Sequence, residues 1–433
     1  PLESRLAFAG KTFLALPSSR ENSKWYSLKS LKLKTYDPEL NQLVPIKNFT
    51  AYSNEIFQKI QKSYLELENA IQNNRSITSA VDIFANSLKE GYQTIEGKIY
   101  TESAVKPLAF PSLTKLKIEH LYCNIPFTMV LFFGYLFSFL LLILTKYNAK
   151  KWLFLLTVTF SFFIFIIHTS ALILRCYILS RPPVSNMAET VLFVPWIGIV
   201  ASFILVLFYK SLTPLIVGLI NASALMLILK LSGCRLNLEN VQAVLDSQFW
   251  LTIHVLMVVG SYGVFILSGI LGHYYLFRET CCKPSQENLQ KTGKLIIQSI
   301  YIGLSLLIPG TILGGIWAAQ SWGRFWDWDP KESWAFISSC IYLICVHAHY
   351  FKVISNFGLS VGAVIGLMVI AFTWYGVNYI LGSGLHSYGF GSGGEIFFYS
   401  YILTEIFFLV LILYLWYNRA PSHVIPQYKK SNL

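Results

Sequence analysis

The chain has 433 residues, 54% of them hydrophobic, 16% aromatic and only 13% charged, with a mean hydropathy of +0.52. A charged fraction about half that of ordinary soluble domains excludes a soluble globular protein and favours a polytopic membrane protein. Many of the basic residues behind the net charge of +12 sit in short loops between apolar runs, which argues for a topological role and against nucleic-acid binding.

Residues 1–119 are polar to mixed, and no run in them is long enough to span a bilayer. They read as a separate soluble domain, largely helical. Apolar residues recur every three or four positions at Phe57, Ile60, Tyr64, Leu67 and Ile71, and again at Val81, Phe84, Leu88, Tyr92 and Ile95, predicting two amphipathic helices.

Beyond Pro126 nine apolar runs follow, at 126–145, 152–173, 190–209, 213–231, 250–277, 296–318, 332–351, 358–381 and 396–417. Each can cross the ~30 Å hydrocarbon layer as a helix. The predicted fold is an all-α polytopic membrane protein, with nine transmembrane helices over 120–417 and a cytoplasmic tail over 418–433.

Lys146, Lys150, Lys151, Lys210, Arg278, Lys283, Lys291, Lys294 and Lys352 fall in one set of loops, and Arg419, Lys429 and Lys430 in the tail. Cytoplasmic loops retain positive charge. The alternate loops, at 174–189, 232–249, 319–331 and 382–395, are therefore expected outside. Nine spans and an inner tail also place 1–119 outside. The chain starts at Pro1 without an export segment, so an upstream span of a longer product is expected.

Seven cysteines, at 123, 176, 234, 281, 282, 340 and 345, show neither CxxC nor zinc spacing. The adjacent Cys281 and Cys282 read as bystanders.

The densest chemical signal is Trp322-Gly323-Arg324-Phe325-Trp326-Asp327-Trp328-Asp329-Pro330-Lys331-Glu332-Ser333-Trp334. Asp329, Pro330 and Glu332 have the pattern of an N-cap, a first-turn proline and a capping-box partner, so a helix should begin there. An interfacial aromatic belt accounts for tryptophans, but not for the Gly, Asp and Glu set between them. An aromatic shelf with Arg324 and Lys331 nearby suits a porphyrin, whose faces need apolar contact and whose propionates need cations.

Haem iron requires axial ligands, commonly histidine. His254, four residues into the fifth span, and His386, in the glycine-rich segment Gly382 to Gly389, are both expected outside and are candidates for one iron. His347 lies seventeen residues after Pro330, ~25 Å down the seventh helix. His168 falls near the opposite surface and is a poor partner for it. His120, His273, His349 and His423 read as bystanders.

These residues resemble the CcsA or ResC cytochrome c biogenesis proteins, of the tryptophan-rich WWD haem-handling family. The resemblance covers about 160–417. It rests on Arg175 with Pro183-Val184-Ser185-Asn186-Met187-Ala188-Glu189, on Trp250 to His254, on the Trp322–Trp334 loop, on His347, and on Gly384-Leu385-His386-Ser387-Tyr388-Gly389.

The resemblance implies a system II holocytochrome c synthase that binds haem b and joins it by thioethers to a CxxCH apocytochrome c. On it, His254 and His386 are paired external ligands, and His347 is one of a transmembrane pair whose other member belongs to a CcsB-like partner, separate or fused upstream. Trp322, Gly323, Trp326, Trp328, Asp329, Glu332 and Trp334 form the working loop, and Arg324, Asn186 and Glu189 help bind the cofactor. Glu189, Asp327 and Asp329 are also candidates for proton transfer. The implied location is the cytoplasmic membrane with the loop on the periplasmic side, or alternatively the thylakoid membrane. A haem-delivery protein like CcmC without ligation activity is the alternative within the family. A solute transporter using Glu405 and His347 is the alternative outside it.

Overall fold

The computed structural model describes residues 14–17, 25–27, 34–37, 42–45, 54–73, 77–99, 113–147, 151–232, 248–282, 284–381 and 395–419. The chain divides into two compact units, Pro1–Leu113 and Thr114–Leu433.

The first unit holds both expected amphipathic helices, α1 (Asn54–Gln72) and α2 (Ile77–Ile99). They pair through the predicted stripes: Ile60 and Phe84 are buried, and the rings of Tyr64 and Phe84 lie 5.6 Å apart. Inside this apolar seam the hydroxyls of Ser63 and Ser87 satisfy one another at 2.6 Å. Two short antiparallel ladders add to the helical expectation. β1 (Leu14–Pro17) pairs with β2 (Trp25–Ser27), and β3 (Lys34–Asp37) with β4 (Gln42–Pro45). Strands of three or four residues are too short to reveal an alternating pattern in sequence.

The second unit is helical throughout its described residues. After α3 (Leu113–Asn124) come α4 (Phe127–Tyr147), α5 (Lys151–Leu179), α6 (Met187–Tyr209) and α7 (Thr213–Leu231). A π-helical turn, Leu251–Val255, leads into α8 (Leu256–Cys281). Then follow α9 (Gln286–Trp322), α10 (Pro330–Tyr350), α11 (Asn356–Ala371), a second π-helical stretch Phe372–Leu381, and α12 (Glu395–Arg419). Among the described residues eight helices are long and apolar enough to cross a membrane. The seventh predicted span, 332–351, is the one not among them; it coincides with α10, 21 residues long. Its apolar character is diluted by Lys331, Glu332, Ser338, Ser339, His347 and His349. α9 runs well beyond its predicted 296–318. Its 37 residues extend ~55 Å, and its first ten, Gln286–Leu295, are mostly polar.

α8 is the central helix, packed against α6, α9 and α11. Small residues permit that approach, as is usual where apolar helices must pack without a hydrophobic driving force. A Cβ at Gly272 would lie 2.9 Å from the Ser360 carbonyl oxygen of α11, and one at Gly263 only 3.2 Å from the Gly198 backbone nitrogen of α6. Val264, Phe265 and Leu271 on α8 are fully buried, as are Ile199 on α6 and Val364 on α11.

Candidate functional site

The Trp322–Trp334 loop is shaped at both ends by backbone chemistry. α9 stops at Gly323, whose φ of 70° lies in the left-handed region that glycine enters without penalty. α10 starts as predicted. Asp329 is the N-cap and accepts the Glu332 backbone N–H at 3.0 Å, and Pro330 occupies the first turn. The Glu332 carboxylate turns to the loop that precedes the N-cap. It accepts from the backbone N–H of Asp327 at 2.8 Å and pairs with Arg324. Arg324 also lies 3.8 Å from the carboxylates of Asp327 and Asp329. This guanidinium therefore ties three acidic side chains of its own loop together.

The four tryptophans of the loop separate into different roles and do not form one plane. Trp326 and Trp328 meet edge to face, with an interplanar angle of 86°. Trp322 receives the Arg324 guanidinium 5.2 Å from its ring centre, a cation–π geometry that fixes the loop entrance. Trp334 packs 4.2 Å from the Phe372 ring. Trp328 is 67% exposed, with a φ of 56°.

Trp326 lines an open cleft with about 1220 Å³ of atom-free space, its mouth included. The cleft brings together several of the residues singled out above: His254 from the first π-turn, Asn186 at the start of α6, and Trp326, Lys331 and Glu332 from the loop and first turn of α10. Its walls also include Trp317, Trp374, Tyr262, Asn378 and Tyr379, which the sequence reading did not single out. The two π-helical stretches contribute His254 and Trp374. Such insertions redirect side chains and recur at functional sites.

His254 is held in place on α9. Its Nδ1–H donates to the Gly310 carbonyl at 2.7 Å, which assigns Nε2 as the lone-pair nitrogen of the ring. Its ring meets Trp317 edge on, with centroids 5.8 Å apart. Trp317 stacks on Trp250 at 6.5 Å and 12°, and the Trp250 indole N–H donates to Gln320 at 2.9 Å. The visible signal for this wall is Gly310, Gly314 and Trp317, spaced four and three residues apart on one face of α9. On the opposite wall the Trp374 indole N–H donates to the Thr190 hydroxyl at 2.9 Å. The Trp326 indole nitrogen is buried without a hydrogen-bond partner among the described residues. Trp326 lines the cleft, and a buried N–H calls for an acceptor from a ligand or water.

Asn186 is the N-cap of α6 and accepts from the Glu189 N–H at 2.9 Å. Glu189 does not line the cleft. Fully buried, it pairs with Arg175 at 2.9 Å and with Arg181 at 3.2 Å, and accepts from the backbone N–H and hydroxyl of Ser185. Its carboxylate organises the turn before α6.

His347 lies away from the cleft, twelve residues beyond the lining residue Ala335, ~18 Å along α10. It is exposed at the surface of the described bundle, and its Nδ1–H donates to the Leu343 carbonyl at 2.7 Å. His168 is fully buried with both ring nitrogens engaged, by the Tyr135 hydroxyl and the Leu192 carbonyl, each at 2.9 Å. His349 contacts the Asn356 side chain at 2.9 Å. His386 lies outside the described residues.

A helical membrane bundle with an aromatic, histidine-bearing cleft defines the class of protein, and comparison with known sequences refines it. The Cytochrome C assembly protein family model matches residues 184–386, which contain every cleft element described above. The chain is 30% identical over 309 residues to the cytochrome c biogenesis protein CcsA of Prochlorococcus marinus, covering 63% of this chain and 98% of that protein. It is 30% identical over 220 residues to CcsA of Chlamydomonas reinhardtii, covering 48% and 61%. It is 34% identical over 238 residues to Protein NrfI of Wolinella succinogenes, covering 53% and 25%. The matches thus span a quarter of NrfI and 61% of the Chlamydomonas protein. The chain belongs to the CcsA family of cytochrome c biogenesis proteins.

Proposed function

We propose that this protein binds haem b in the cleft, presents it on the outer face of the membrane, and promotes its attachment to a CxxCH apocytochrome c. The observation that carries this reading is the meeting of His254 with Trp326, Lys331 and Glu332 in one cleft.

The residues present fit an iron porphyrin. His254 has one feature common to metal-bound histidines, a ring N–H given to a backbone carbonyl. Lys331 supplies a cation for a propionate, and the Trp326 indole N–H a hydrogen-bond donor. Trp317, Trp374 and Tyr262 offer apolar faces. When bound, haem supplies the vinyl groups across which cysteine S–H bonds add, forming thioethers with no leaving group. The protein's contribution is then positioning and exclusion of water. His254 would hold the group, and the loop fixed by Arg324 and Glu332 would keep Trp326 beside it. The segment with His386 provides the second external ligand.

His347 fits a different task. Its tautomer is set in the same way, and it faces outward from the bundle, where a CcsB-like partner or upstream segment would supply the other ligand. The location proposed is the cytoplasmic membrane with the cleft on the periplasmic side, or the thylakoid membrane in a plastid.

The test is an absorption spectrum of the purified protein, co-expressed with a CcsB-like partner and compared with His254→Ala and His386→Ala. A Soret band weakened or shifted in both variants is expected. Absence of any band in the wild type would overturn the proposal.

A further inference from the structure

Away from the cleft an imidazole and a carboxylate meet inside the bundle. His273 of α8 and Glu405 of α12 place Nε2 and Oε2 2.7 Å apart, while Nδ1 of the same ring lies 2.9 Å from the Gly269 carbonyl oxygen. A carbonyl can only accept, so Nδ1 carries a hydrogen. The Nε2 to Oε2 contact would then oppose two lone pairs unless one more proton lies between them. Either an imidazolium faces a carboxylate, or a protonated carboxyl donates to a neutral imidazole. The other neutral tautomer, with hydrogen on Nε2, would turn a bare Nδ1 lone pair onto the Gly269 carbonyl.

We propose that His273 and Glu405 form a proton-binding site within the membrane-spanning helices, holding one exchangeable proton that docks α12 onto α8. Ionisable residues at this depth are costly, face the bundle interior and characteristically serve proton transfer or ion binding. The pair joins α8 to a helix much of whose surface is outside the core. Leu403, Phe407, Val410 and Tyr414 are all more than 60% exposed. α12 is also anchored by Ile412, which is buried in the core, by Trp416 stacked 4.7 Å from Phe357, and by Phe408 4.7 Å from the His273 ring.

The ionisable groups facing the pair are Tyr401, one turn earlier on α12, and beyond it Tyr342 and Cys345 of α10. α11 carries no ionisable residue. His273 is the more exposed member, its side chain 26% accessible against 11% for Glu405. It lies eight residues, ~12 Å, before the end of α8 at Cys281.

Difference infrared spectroscopy on the full chain in lipid nanodiscs, in H2O and D2O over about pH 5 to 8, tests the proposal. Imidazole and carboxyl bands should titrate together as one single-proton step and disappear in Glu405→Gln. The Gln amide can still donate to Nε2, so that variant keeps α12 docked. Its thermal unfolding should lose the pH dependence that the wild type shows over the same range. Bands unchanged in Glu405→Gln, two independent titrations, or no titration over the range would each overturn the site. Should Glu405→Gln fail to fold, His273→Gln serves instead. Loss of the imidazole component with the carboxyl titrating alone supports the pair, and an unaltered single step refutes it.

Discussion

The His254 imidazole lies directly on the backbone of Gly314, so closely that a Cβ there would sit 2.9 Å from Nδ1 and 3.0 Å from Nε2. Gly314→Ala should therefore displace the ring from the Gly310 carbonyl without touching a loop residue. Overpacking of this kind costs about 1 to 3 kcal/mol, so the variant should fold with a lower unfolding temperature. Its haem spectrum should shift toward that of His254→Ala. An unchanged spectrum would mean that His254 is not held in its binding position by α9.

Glu332 and Arg324 join the two ends of the loop, and their side chains are only 8% and 19% exposed. Removing Glu332 leaves the Arg324 guanidinium with only the more distant Asp327 and Asp329 carboxylates, each 3.8 Å away. Glu332→Ala should destabilise the protein by about 3 kcal/mol, measured by thermal unfolding in detergent. Glu332→Gln should lose less, because its amide oxygen can still accept the Asp327 N–H. Equal losses in the two variants would contradict this assignment of the carboxylate oxygens.

Glu189 offers a contrast between holding the fold and holding a ligand. Its side chain and that of Arg175 are both fully buried, so Glu189→Ala leaves two guanidiniums without their carboxylate and should cost about 3 to 5 kcal/mol. The expected phenotype is loss of folded protein. Any fraction that folds should show an unaltered haem band, whereas a folded variant lacking the band would place Glu189 at the cofactor.

Trp328 holds a left-handed backbone that side chains with a Cβ adopt at a cost of roughly 1 to 2 kcal/mol, and its ring is mostly exposed. Trp328→Gly relieves that cost but gives up the edge contacts with Trp326 and Phe336 and adds the backbone entropy of a glycine, so the unfolding temperature should change little while attachment of haem to the apocytochrome weakens. Strain kept at an exposed aromatic residue suits a surface that meets a partner. A variant as active as wild type would remove that role.

The membrane class of the chain, the positions of its apolar helices and the start of α10 were all legible in the sequence, because they depend on local properties. Length of apolar run, the 3.6-residue period and the Asp329-Pro330 cap act within one helix. The resemblance to WWD proteins likewise rested on short motifs whose residues are close in sequence. What required tertiary structure was the separation of neighbours into different tasks. Four tryptophans within thirteen residues leave one, Trp326, in the cleft, because Trp322 and Trp334 turn to Arg324 and Phe372. Glu189 sits three residues from Asn186 yet faces two arginines brought from the preceding helix and turn. Trp317 and Trp374 enter the cleft from distant segments, the first because Gly310 and Gly314 let His254 reach α9, the second because a π-helical stretch changes the direction of its side chain. His273 and Glu405 stand 132 positions apart, and no periodicity links them. Helix formation is decided by the residues of the helix itself, whereas which face meets which neighbour is decided by packing among all of them.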